Sequence, residues 1–242
     1  MLKKLLTSLK MKGALAALDS LGNIKTRNEF VLSLLQAEYA YKQDCSMKRR
    51  LSQARFPIEK DWDGIDVTLN PKIDFEKIKE LNSGDFIKNR QNLCLLGQQG
   101  SGKTRSLIAL GRQLCRQGVT VKFCTACSLV NKLEEAKSQH VLSKFMQTLL
   151  KPSLLIIDEL GFVPFSENGA RLLFDVFSSR YEKGSIAVST NLNFDKWVQV
   201  FGGVELTAAL VDRFTHKALI FTYEGQSVRF LETKKQRSKK GE

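Results

Sequence analysis

The chain has 242 residues, 43% of them apolar and 26% charged. That excludes a disordered polymer and allows one substantial α/β core plus a small accessory domain. The net charge of +13 is uneven: residues 1–60 hold 12 Lys and Arg against 5 acids, residues 232–242 hold 5 against 2, and the 171 residues between carry only +3. A near-neutral middle with basic ends points to a polyanion partner approached from the ends.

The N-terminal "MLKKLLTSLKMKGALAALDS" starts basic, but Lys10 and Lys12 interrupt any signal-peptide core, so it reads as an amphipathic helix. Leu2, Leu5, Leu6 and Leu9 share one helical face and are expected to pack into a core. Gly22-Asn23 breaks the pattern, and Thr26 with Glu29 forms a capping-box signal for a second helix through Phe30, Leu34 and Tyr41. That helix runs into "MKRRLSQAR" (47–55), where Lys48, Arg49, Arg50 and Arg55 are candidates for DNA contact. Residues 1–58 therefore read as a small all-helical basic domain suited to a polyanion such as DNA. The next stretch, "FPIEKDWDGIDVTLNPK" (56–72), has the prolines and acids of a linker.

From about residue 73 the texture alternates. "LCLLG", "VTVKFC", "SLLIIDE", "SIAVSTN" and "KALIFTYEG" are strand candidates separated by helical stretches at 102–117, 128–150 and 167–182. Continuous apolar strands between helices imply a parallel sheet covered on both faces, an α/β fold over 59–232. The tail 233–242 is too charged and too poor in apolar residues to fold, so it is expected to be disordered. No apolar run approaches the roughly 18 residues of a membrane-spanning helix, so a cytoplasmic protein is expected. Five cysteines fit unpaired thiols in a reducing compartment. Cys124 and Cys127 form a C-x-x-C, but a zinc site would need a second pair, and the only histidines are His140 and His216. Cys124 ends a strand instead of starting a helix, so both thiols read as buried structural cysteines.

Gly97, Gln98, Gln99, Gly100, Ser101, Gly102, Lys103 and Thr104 match G-x-x-x-x-G-K-[ST] at every position, between a strand and a helix. The glycines let backbone N–H groups wrap phosphate oxygens, and the helix that follows points its positive end at them. Lys103 is expected to reach the β- and γ-phosphates of ATP, and the Thr104 hydroxyl to ligate Mg²⁺. "LLIIDELG" places Asp158 and Glu159 at the end of an apolar strand. Asp158 suits the Mg²⁺ shell, and Glu159 suits the general base that polarises the attacking water. Thr190-Asn191 closes another strand where a γ-phosphate sensor would stand. Arg213 ends a helical stretch as a candidate finger for a neighbouring subunit's site, and Arg229 is a further cation.

The order of GQQGSGKT, LLIIDELG, STNLNFDKW, ALVDRFTH and GQSVRF resembles the IstB-type AAA+ ATPases, transposition helper proteins related to the DnaC helicase loaders. The resemblance extends from about residue 5 to 230 and includes the helical segment that ends in a basic run and Phe-Pro. It implies an AAA+ core without a C-terminal lid domain and ATP-dependent homo-oligomers on duplex DNA, with residues 1–58 as the DNA-binding and oligomerisation domain. It also implies ATP hydrolysis and stimulation of a separate, IstA-type transposase, at a bacterial cytoplasmic location on the nucleoid. Lys103, Thr104, Asp158, Glu159, Asn191 and Arg213 take by position the roles given above. Arg105, which follows the P-loop threonine where relatives often carry His, is expected with Arg229 among the ATP-binding residues, and Gln98-Gln99 stands where Pro-Pro is commoner. Two other readings remain open: a helicase loader, and a nucleotide-gated scaffold with negligible turnover.

Overall fold

The computed structural model describes residues 1–21, 26–65, 73–224 and 227, so the break at Gly22-Asn23, the tail 233–242 and Arg229 lie outside the described residues. The chain divides into two compact units, Met1–Arg50 and Leu51–Glu242. No described helix is long and apolar enough to cross a membrane.

The first unit is helical: α1 (Leu2–Ser8), α2 (Lys12–Ala17) and most of α3 (Arg27–Ala54). The α3 start follows its sequence signal, with Thr26 Oγ1 accepting from Glu29 N at 3.2 Å. Helix α2 has Met11 at its start, which cannot cap. A carboxylate from α3 takes that place: Glu38 Oε2 accepts from Gly13 N at 2.8 Å and Ala14 N at 3.1 Å. Burial by itself would raise the Glu38 pKa, but these bonds and the Lys42 charge hold it below its ordinary value. A Cβ on Gly13 would lie 2.4 Å from Tyr41 Cβ, so only glycine lets the two helices approach this closely. The leucine face differs from expectation. Only Leu6 is buried, with Ala14 and Leu34, while Leu2, Leu5 and Leu9 are 41%, 54% and 59% exposed. Two helices this short present too little surface within the unit to cover a whole stripe.

The second unit holds five parallel strands among the described residues: β1 (Asn92–Gly97), β2 (Val121–Thr125), β3 (Leu154–Leu160), β4 (Ser185–Thr190) and β5 (Ala218–Tyr223), in the order β2-β3-β4-β1-β5. The apolar runs alternate between two cores. Leu154 and Ile156 enter one core with Leu93 and Leu95, and Leu155 and Ile157 enter the other with Cys94 and Val188. Burial on both faces explains why these strands lack a polar side. One face is covered by α4 (Phe75–Glu80), α5 (Asp85–Lys88) and α6 (Lys103–Arg116). The other is covered by α7 (Ala126–Ser138), α8 (Leu142–Leu150), α9 (Glu167–Arg180), α10 (Val198–Phe201) and α11 (Val204–Thr215).

The helical stretch expected at 128–150 is two helices, because His140 turns left-handed at φ +58°. The last turn of α3 belongs to the second unit: Ala54 is fully buried in its core and Phe56 packs on Phe123 at 5.9 Å. The unit boundary thus falls before 58. Part of the expected linker is docked, since Asp61 accepts from Arg116 Nη2 at 2.8 Å and Arg112 Nε at 2.9 Å on α6. These guanidinium groups hold the Asp61 carboxyl down to about 2. Cys124 is packed, its Sγ donating to Ile156 O at 3.5 Å, whereas Cys127 is exposed because it starts a helix whose inner face is taken by Ala126, Leu129 and Val130.

At the amino ends of the strands a buried arginine ties the layers together. Arg180, 1% exposed, donates to the carbonyls of Leu149 (2.7 Å), Ser185 (2.9 Å), Pro152 (3.0 Å) and Ser153 (3.2 Å). Its planar fork serves the end of α8, the entry to β3 and the start of β4 at once. Arg180→Met should leave these carbonyls without their donor and cost roughly 3–5 kcal/mol. Thermal unfolding should drop by about 10 °C, and Arg180→Lys should recover only part of it. An unchanged melting temperature in Arg180→Met would refute this role.

Candidate nucleotide-binding site

The loop between β1 and α6 follows its glycines. Gly100 and Gly102 take φ of +80° and +104°, which bulkier residues reach only under strain. Gly97 sits so close to β5 that a Cβ would lie 2.3 Å from Tyr223 O. Because Gly102 is the α6 N-cap and offers no side chain, the first-turn N–H groups of the helix are left for an anion. Lys103, 9% exposed, donates through its ammonium to Gly97 O at 2.7 Å, Gln98 O at 2.8 Å and Ser101 Oγ at 3.4 Å. Burial lowers its pKa to about 8, against the opposing pull of the Asp158 and Glu159 charges.

Across the sheet, Asp158 is 2% exposed and accepts from Thr104 Oγ1 at 3.0 Å and from Ser189 Oγ. Burial pushes its pKa up, and the Ser189, Thr104 and Glu159 N–H bonds and the Lys103 charge pull it back only in part. Glu159 sits where the β3–β4 register slips. Ile157 pairs with Val188 and Leu160 pairs with Thr190, so Asp158 and Glu159 together oppose Ser189 alone. Glu159 absorbs the extra residue with φ +60°, and its N–H donates to Ser189 Oγ at 2.9 Å. The bulge leaves Asp158 buried and Glu159 exposed at the carboxyl end of the sheet.

Gln99, Gly100, Lys103, Thr104, Glu159, Phe162, Ser189, Thr190 and Asn191 line one cleft. Asn191 stands exposed on the turn after β4, which is anchored by Leu192 N donating to Thr190 Oγ1 at 3.1 Å. The donor set fits a polyphosphate, with uncapped helix N–H groups and an ammonium. The hard oxygen pair Thr104 and Asp158 fits Mg²⁺. Ser189 and Phe162 escaped the sequence reading. The hydroxyl of "VST", ending a strand, was the only signal for Ser189.

Other candidates do not line the cleft. Arg105 is half-buried on α6 and does not line it. Arg213, exposed on the last turn of α11, donates through Nη1 to Ser178 Oγ at 2.7 Å and stacks over Phe174. In the first unit, Lys48 is exposed and paired with Asp44 at 2.7 Å, Arg49 is exposed and Arg50 is half-buried; Arg55, just past α3, is exposed.

The family described as IstB-like ATP binding protein matches residues 2–239. A Geobacillus stearothermophilus protein, named as the ATP-binding protein of insertion sequence IS5376, is 35% identical over 93% of this chain and 90% of its own length. Its counterpart for IS21 in Pseudomonas aeruginosa is 34% identical over 97% of this chain and 90% of its own length. Among solved structures, AMPPCP-bound DnaA from Aquifex aeolicus superposes with a TM-score of 0.61 at 18% identity, over 76% of this chain and 56% of that one. DnaI gives 0.58 at 16% identity over 74% and 98%. These two share the AAA+ P-loop fold. With a family match that spans nearly its whole length and relatives this similar, the chain belongs to the IstB-like ATP binding protein family.

Proposed function

We propose that this protein is an ATP-hydrolysing helper of insertion-sequence transposition, which assembles on duplex DNA and stimulates a partner transposase. The observation that carries the hydrolytic part is the bulge at Asp158–Glu159, which puts an exposed carboxylate beside Lys103, Thr104 and Asn191 in one cleft. Lys103 and the α6 N–H groups bind the phosphates, Glu159 takes the proton of the attacking water, and Asn191 orients that water against the γ-phosphate. Thr104 and Asp158 would hold Mg²⁺, which supplies charge neutralisation on the phosphate oxygens. The insertion-sequence names of the relatives support the transposition setting.

Arg213 lies outside the cleft of its own subunit. That position suits a finger offered to a neighbour, so that hydrolysis requires assembly. DNA binding is assigned to Lys48, Arg49, Arg50 and Arg55, on the strength of the +7 carried by residues 1–60.

Lys103→Ala should abolish binding of a fluorescent ATP analogue. Glu159→Gln should keep binding and lose turnover by ~10²–10⁴-fold; wild-type turnover in Glu159→Gln would remove it from the mechanism. A pH dependence follows from the buried ammonium. The free Lys103 titrates at about 8 and bound phosphates raise that value, so binding takes up a proton there. ATP affinity should be level at lower pH and fall as pH rises through about 8, by up to about tenfold per unit. Calorimetry in buffers of different ionisation enthalpy reads that proton directly, and zero uptake at pH ~8 would contradict it. Duplex DNA binding should show a log K against log[salt] slope of about −4 to −5. Arg49→Glu with Arg55→Glu should flatten it by about two units or more, whereas an unchanged slope would move the DNA contact elsewhere.

A further inference from the structure

The Arg213 side chain is held in an unusual way for an exposed arginine. A free surface arginine keeps many rotamers, and fixing it costs conformational entropy. Here two residues of α9, one helical turn apart, fix it: the Phe174 ring lies 5.5 Å from the guanidinium carbon, and Ser178 Oγ accepts from Nη1 at 2.7 Å. Phe174 is itself packed against the core that holds Phe177, Phe201 and Phe214, so its ring plane is set by the fold. Both holders are neutral. Among the described residues no carboxylate pairs with Arg213, although eleven other ion pairs occur among those same residues.

An arginine that only tied α11 to α9 would gain most from an acid on α9, and Asp175 lies next to Phe174 in sequence. An acid would also spend the positive charge and the bidentate fork. A ring and one hydroxyl orient the group while using one of its five N–H donors. The charge and the remaining donors stay available to a phosphate oxygen that arrives from outside the subunit.

We infer that Phe174 and Ser178 are positioning residues that pre-set Arg213 for the ATP site of a neighbouring copy of this chain. This rests on the reading of Arg213 as a finger acting in trans. Phe174→Leu with Ser178→Ala removes the aromatic face and the acceptor while keeping apolar volume. With ATP and duplex DNA, the double variant should keep its KM for ATP and lose about tenfold in kcat. Phe174→Tyr in the Ser178→Ala background, which returns an aromatic face, should recover part of the loss.

Mixing separates positioning from damage. Excess Glu159→Gln subunits lack the base but carry an intact finger, so they should restore wild-type turnover to each double-variant subunit, as they should to Arg213→Ala subunits. If Arg213→Ala is restored and the double variant is not, the positioning role is overturned and the finger stands. If neither is restored, the finger reading falls and takes the positioning role with it. Wild-type turnover by the unmixed double variant also overturns the proposal. Should that variant fail to fold, Ser178→Ala alone, at a half-buried residue, carries the same mixing test.

Discussion

The arrangement of this site depends on one backbone irregularity, the extra residue in β3 opposite Ser189. In a regular strand, neighbouring side chains point to opposite faces of the sheet, so adjacent carboxylates could not both serve one end of it. The bulge interrupts that alternation. It costs the strain of a left-handed glutamate, about 1–2 kcal/mol, and Ser189 offsets part of it by accepting the displaced Glu159 N–H while donating to Asp158. One hydroxyl thus fixes the position of both acids. The result is two carboxylates with different environments: Asp158, buried and bonded to Thr104, and Glu159, open to the cleft.

Stability and chemistry occupy opposite ends of the same sheet. At the amino ends, Arg180 gathers four carbonyls in a buried network with no acid partner among the described residues. At the carboxyl ends, the groups left exposed are those that would act on a nucleotide, as expected for a parallel sheet whose ligands bind outside the strand carboxyl ends. The two arginines illustrate the division. Arg180 commits both Nη groups to backbone carbonyls and is 1% exposed, whereas Arg213 keeps most of its donors and stays at the surface.

The P-loop is also braced from the C-terminal side of the sheet. Tyr223 at the end of β5 lies under Gly97, and a Cβ on Gly100 would lie 2.2 Å from Ser227 Oγ. The loop glycines therefore answer two demands at once, a left-handed backbone and the close approach of a second chain segment. Strand β5 pairs with β1 in register from Asn92–Ala218 to Gly97–Tyr223, so Tyr223 is delivered to the loop by the sheet itself.

The parallel sheet and the P-loop were legible in the amino-acid sequence because local rules carry them. Continuous apolar runs demand burial on both faces, and glycines at fixed spacing before Lys103-Thr104 permit one kind of turn. The α3 cap at Thr26 and Glu29 was local in the same sense. What needed tertiary structure involves partners distant along the chain. The bulge is created by the β4 register, with Ser189 lying 31 residues from Asp158. Phe174 and Ser178 meet Arg213 only because α9 and α11 cover the same core, and the α2 cap comes from Glu38, 25 residues beyond Gly13. The leucine face of α1 failed as a guide for the same reason. Periodicity determines which residues share a face of a helix, but whether another element covers that face is decided by the packing of the whole unit.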